Sequence, residues 1–230
     1  MLTNKSLSRS FIFLLGLLAV PCAKAAPVTF GFTGFVYEVI DPLLANRFSE
    51  NQAVSGSYTF ESTALATYPN ISNPNVVDYP GLLNISLTIG DYTATYNPSS
   101  FPGMIRIVND LTGWGDSYEV WAGMSGASIG GIPPSFFVTA MNDWTGMALS
   151  SLALPVDASQ LASFDNQQFQ LIFTEYVDPL TMIDHVLDGE ITSITTSVVP
   201  LPGALLLFVS GLFVSFGSFG FLKKRRRHQA

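Results

Sequence analysis

The sequence predicts an all-β domain, a two-sheet antiparallel β-sandwich of jelly-roll type, set between an N-terminal signal peptide and one C-terminal transmembrane helix. Three observations predict the fold. Across residues 26–197 apolar residues alternate with small or polar ones at period two, the spacing that puts every second side chain on one face of a strand. Clusters of Gly, Pro, Asn and Asp break that pattern repeatedly. Long amphipathic stretches of helical period are missing. The resulting count of about ten strands suits two packed sheets.

In chain order, the candidate strands are Val28 to Phe35, Val54 to Phe60, Leu83 to Ile89, Tyr92 to Tyr96, Met104 to Val108, Ser117 to Gly123, Phe136 to Met141, Gly146 to Leu152, Phe169 to Tyr176 and Val186 to Thr195. Gly90-Asp91 between two alternating runs reads as a two-residue hairpin turn. One short helix is expected where Asp157 and Gln160 have capping-box spacing and Leu161 and Phe164 supply an apolar side.

The two ends of the chain have a different composition. Lys5 and Arg9 precede the apolar run Phe11 to Val20, and Ala23-Lys24-Ala25 offers the small residues at which a signal peptidase cuts, so residues 1–25 read as a secretory signal. At the other end Gly203 to Leu222 is free of charge and, as a helix, is about 30 Å long, enough to cross a bilayer core. Lys223, Lys224, Arg225, Arg226 and Arg227 follow at once and place that end on the cytoplasmic side, leaving the rest of the chain outside. Just before the span, Val199-Pro200-Leu201-Pro202-Gly203 is held extended, because each proline fixes its own φ and disfavours helix in the residue before it.

This tail of proline motif, apolar span and basic end, residues 198–230, resembles the PEP-CTERM sorting signal of Gram-negative bacteria, in its Val-Pro-Leu-Pro form with Leu201 in place of the glutamate. The resemblance implies processing near the motif by exosortase, a membrane-embedded cysteine transpeptidase, and a host that makes exopolysaccharide. It implies a transient single-pass inner-membrane intermediate, then the cell surface or extracellular matrix. It covers the tail alone and leaves the role of residues 26–197 to be read from their own chemistry.

That chemistry begins with charge. Of ten basic residues only Arg47 and Arg106 lie in the domain, against all seventeen carboxylates, a net charge of −15 that excludes nucleic acid as a partner. The one cysteine, Cys22, falls in the signal, so the exported chain has neither disulfide nor thiol. Gly126-Ala127-Ser128-Ile129-Gly130 matches a nucleophile elbow, with His185 as the one histidine outside the tail, but Gly131, Pro133 and Pro134 forbid the helix that must follow. Asp110, Asp116 and Asp143 sit in turn-like segments where carboxylates attract calcium, without the spacing of a known calcium loop. Gly211 and Ser215 form a small-residue pair of the kind that packs helices in membranes.

Trp114 and Trp144 fall between candidate strands, beside Asn and Asp, and are candidate glycan contacts in which an indole face stacks on a sugar ring. The plainer reading, which the sequence favours, is two hairpin turns with Asn and Asp at turn positions and Trp folded onto the sheet edge. The expected protein is exported and non-enzymatic, needs no metal or other cofactor, and has a structural or adhesive role in exopolysaccharide or biofilm. The alternative is a carbohydrate-binding module on the cell surface. Expected partners are the exosortase-like transpeptidase, the membrane as a transient anchor, and extracellular polysaccharide.

Overall fold

The computed structural model describes residues 27–68, 73–178 and 181–197. Among these residues are ten strands: β1 (Val28–Glu38), β2 (Ala53–Phe60), β3 (Val76–Tyr79), β4 (Leu82–Ile89), β5 (Tyr92–Tyr96), β6 (Met104–Leu111), β7 (Gly115–Gly126), β8 (Pro134–Asp143), β9 (Asn166–Asp178) and β10 (Thr181–Ser197). All their pairings are antiparallel. The helical elements among the described residues are the short 3-10 turns Leu44–Asn46 and Ala158–Leu161.

The all-β expectation is met, but the two-sheet sandwich is not. Eight strands close on themselves in the order β7-β5-β4-β2-β1-β10-β9-β8 and back to β7, an antiparallel barrel. The closing strand is β7, long enough to serve three neighbours. One edge pairs with β8 from Asp116 to Gly123. The other edge pairs with β6 from Gly115 to Trp121 and then, past the end of β6, with β5 from Met124 to Gly126. β3 adds to the outer edge of β6. A closed ring leaves far less free strand edge than two open sheets.

Aromatic side chains fill the barrel. Phe32 stacks on Phe137 and Phe137 on Phe169, with centroids 6.0 and 6.1 Å apart. Tyr58 and Tyr118 meet hydroxyl to hydroxyl at 3.2 Å, the polar ends satisfying each other where water is excluded. Burial pushes both phenols above their ordinary pKa. The inward position at Gly189 is empty because Phe169 occupies it: a Cβ there would lie 2.1 Å from the Phe169 ring. Gly56 leaves the same room for Phe32, whose ring would lie 2.3 Å from an added Cβ, so rings and missing side chains interlock and the lumen is a packed core.

Local expectations fared unevenly. Gly90-Asp91 does turn β4 into β5, with Gly90 at φ +58°. The Asp157 and Gln160 capping box forms, and Leu161 and Phe164 are buried, but the turn is four residues of 3-10 helix. Gly146 to Leu152, expected as a strand, is loop, whereas Val76–Tyr79 is a strand that the alternation did not reveal. No helix among the described residues is long and apolar enough to cross a membrane. The transmembrane helix expected at Gly203 to Leu222 lies outside the described residues, as do the signal peptide with Ala23 and Ala25, the motif from Val199 to Gly203, and the basic residues Lys223 to Arg227.

Candidate functional site

Two loops at one rim of the barrel carry the candidate site. The β6–β7 turn is tight: Trp114 N–H donates to the Leu111 carbonyl at 2.8 Å, and Gly113 and Gly115 adopt φ of +82° and +69°. Gly115 is pressed onto the end of β8, where an added Cβ would lie 2.1 Å from the Asp143 carbonyl oxygen. Only glycine meets both the left-handed backbone and that close approach.

Across the β7–β8 ladder, Asp116 and Asp143 are paired neighbours, and both are buried. Neither lacks donors. Asp143 Oδ1 accepts from the Thr145 N–H at 2.9 Å and its hydroxyl at 2.7 Å, while Oδ2 accepts from the N–H groups of Met147 and Ala148 at 2.7 and 2.8 Å. Asp116 takes the N–H groups of Asp110 and Leu149, at 2.8 and 2.7 Å. The Thr145 hydroxyl and N–H, with the Met147 and Ala148 N–H groups, outweigh the cost of burial and hold the Asp143 carboxyl down at about 2. These bonds also explain why residues 147 to 149 are not a strand: their N–H groups serve two carboxylates instead of a neighbouring strand.

The result is a rigid base for two exposed indoles. Trp114 and Trp144 are 64% and 61% exposed, with ring centroids 6.1 Å apart and planes inclined by 34°. Met147, 77% exposed, belongs to the same loop. The third tryptophan, Trp121, is different, since its indole N–H is spent on Glu119 at 2.8 Å. Each sequence candidate therefore lies in a loop as expected, and the tertiary fold makes them one platform. The edge-folded alternative does not describe rings this open.

The remaining candidates separate. Ser128 is exposed in the β7–β8 loop, whereas His185 is claimed elsewhere: its Nδ1 lies 2.7 Å from Asp41 and its Nε2 3.5 Å from Glu175. Sequence reasoning missed that cluster, because nothing local marks Asp41 and Glu175 as neighbours of His185. Among the described residues no group of three or more His, Cys, Asp or Glu side chains is arranged to hold a metal ion. Asp110, Asp116 and Asp143 do converge on one loop, but Asp116 and Asp143 spend their oxygens on N–H and hydroxyl donors. A polar groove of about 770 Å³ runs along the outer wall between Tyr37 and Glu38 of β1, Asp188 and Glu190 of β10, and Asn166 and Gln168 of β9.

No family model, characterised protein or solved structure matches this chain. The reading of the site therefore rests on its own geometry.

Proposed function

We propose that this protein is an exported, non-catalytic adhesive or structural component of a Gram-negative cell surface or exopolysaccharide matrix, and that it contacts neutral polysaccharide through Trp114 and Trp144. The tail, residues 198–230, serves in this reading as a sorting signal, with an exosortase-like transpeptidase cutting near Pro200-Leu201-Pro202. The observation that carries the reading is the pairing of two open indoles on a base braced by buried carboxylates. Solvent-exposed aromatic area costs solubility unless something covers it, and a flat apolar face edged by hydrogen-bonding groups suits the C–H face of a pyranose ring. The charge of −15 selects among polysaccharides, since anionic chains would be repelled.

The test is electrophoresis of the full chain through gels containing hydroxyethylcellulose, galactomannan or alginate. Retardation by a neutral polymer, weakened about tenfold or more by Trp114→Ala with Trp144→Ala, supports the reading, since about 1.4 kcal/mol of lost aromatic contact gives that factor. Retardation that survives both changes moves the contact to the outer-wall groove. No retardation by any polymer removes the glycan reading. A dedicated carbohydrate-binding module, the alternative, uses the same pair but would discriminate sharply between the two neutral polymers.

A further inference from the structure

The strand directions place the tryptophan pair and the start of the tail at the same rim. β8 runs toward that rim and ends at Asp143; β9 starts there, with Asn166 opposite Asn142; β10, antiparallel to β9, returns to it and ends at Ser197. The Ala158 N–H donates to the Thr196 hydroxyl at 2.7 Å, which ties the segment that follows Trp144 to the last residues of β10. From β10 to β7 there are three inter-strand spacings, about 15 Å of wall. The opposite rim carries the Gly90-Asp91 hairpin, the β7–β8 loop and the β9–β10 connection.

We propose that the Trp114 and Trp144 platform faces the bilayer as long as the tail holds the chain there, so that polysaccharide reaches it only after the tail is cut. The inference rests on the glycan reading of the pair and on the tail as an anchor, and adds to them when the site is open. Its physical basis is the tether. Six residue steps separate Ser197 from Gly203, where the charge-free segment begins, a reach of about 20 Å at full extension. The barrel wall is longer. The eleven residues of β1 extend about 36 Å, and still stand roughly 27 Å high at the usual strand tilt of a barrel. A domain on so short a tether cannot turn its far rim to the membrane. Its near rim, with Trp114, Trp144 and Met147 open, is confined to the headgroup region, where indoles are well accommodated.

Access to this rim can be read without any polysaccharide. Cysteine is placed in the exported chain with its tail, residues 26–230, which has none of its own, either at Thr112, in the turn before Trp114, or at Ile40, in the β1–β2 connection at the opposite rim. This chain is reconstituted into lipid nanodiscs and treated with a polymer-coupled maleimide. Position 112 should react at least several-fold more slowly than position 40. The difference should vanish in detergent, and also in nanodiscs when about thirty Gly/Ser residues, spanning about 30 Å on average, are inserted after Ser197. Equal rates in the short-tethered nanodisc form overturn the proposal. So does slow labelling at 112 that persists with the long linker or in detergent, because the domain itself would then be the shield. Restored labelling together with no retardation by any polysaccharide would uphold the membrane-facing rim and sink the glycan reading, so the two failures are distinguishable.

Discussion

Arg106 closes both ends of its guanidinium on Asp78, with Nε to Oδ1 at 2.8 Å and Nη2 to Oδ2 at 3.1 Å, and so pins the four-residue strand β3 to β6. The second basic residue of the domain, Arg47, pairs with Asp91 in a far more exposed setting. The two arginines thus have unequal duties. Arg106→Ala is expected to cost about 1–2 kcal/mol in urea unfolding, against less than about 0.5 kcal/mol for Arg47→Ala. Amide exchange at Val77 and Tyr79 should quicken before exchange in β7. Arg106→Lys should recover less than half the loss, because an ammonium cannot make the paired contact. Equal costs for the two alanine variants would mean that β3 is held by packing alone.

Gly189→Ala should destabilise the barrel by about 1–3 kcal/mol, the usual penalty for forcing extra volume into a packed core. The added methyl would meet the Phe169 ring, which itself stacks on Phe137. An unchanged urea midpoint would show that the ring has room to move.

His185, on the inward-facing side of β10 at that end of the barrel, fastens the β1–β2 connection to the strand through Asp41. The Asp41 hydrogen bond, opposed by burial and aided by Asp41 and Glu175 charge, raises the His185 pKa above its ordinary 6.5. Burial works against the Asp41 carboxylate, but His185 and the Leu43 N–H prevail and lower its pKa. A raised folded-state pKa means that the stabilisation is complete below the unfolded value of 6.5 and is lost as pH rises through the folded value. The thermal midpoint of the wild type should therefore exceed that of His185→Gln at mildly acid pH and approach it in alkali. A constant difference across that range would assign the effect to packing.

Asp143 has the opposite sign. Its folded pKa of about 2 lies below the ordinary 3.8, so its contribution is complete above the unfolded value and is lost as pH falls from about 4 to about 2. Because its oxygens hold the loop beneath Trp144, acid should separate the indoles before the barrel unfolds. Two indoles 6.1 Å apart couple electronically, and circular dichroism should show the coupled signal fading across that window. Asp143→Asn should lack the transition and show a weakened signal at neutral pH.

Residues 198–230 joined to an unrelated exported reporter should be enough to have it processed in a host with the sorting enzyme. Pro200→Ala with Pro202→Ala should leave full-length reporter in the membrane, because the extended segment offered to the enzyme is lost. Mass measurement of the reporter's C-terminus decides the matter. An intact Ala230 in that host would leave only a one-pass anchor.

Sequence alone determined what depends on near neighbours in the chain. Period two marked nine of the ten strands, since alternation records which side chains turn inward. Gly90-Asp91 and the Asp157 and Gln160 box were legible because each is closed by residues a few positions apart. Trp114 and Trp144 were legible as loop aromatics for the same reason. Closure into a barrel was not, because alternation does not say which strand lies beside which; that was decided by β7, whose length lets β5 and β6 share one edge while β8 takes the other. Val76–Tyr79 is too short to show a period, and its place depends on Arg106, distant in sequence. Gly146 to Leu152 alternates like a strand, yet carboxylates from β7 and the end of β8 take the N–H groups of Met147, Ala148 and Leu149 and fold the segment into the loop that carries Trp144. Only that long-range capture brings the two indoles together, since hydrogen bonds between distant segments leave no periodic trace in the sequence.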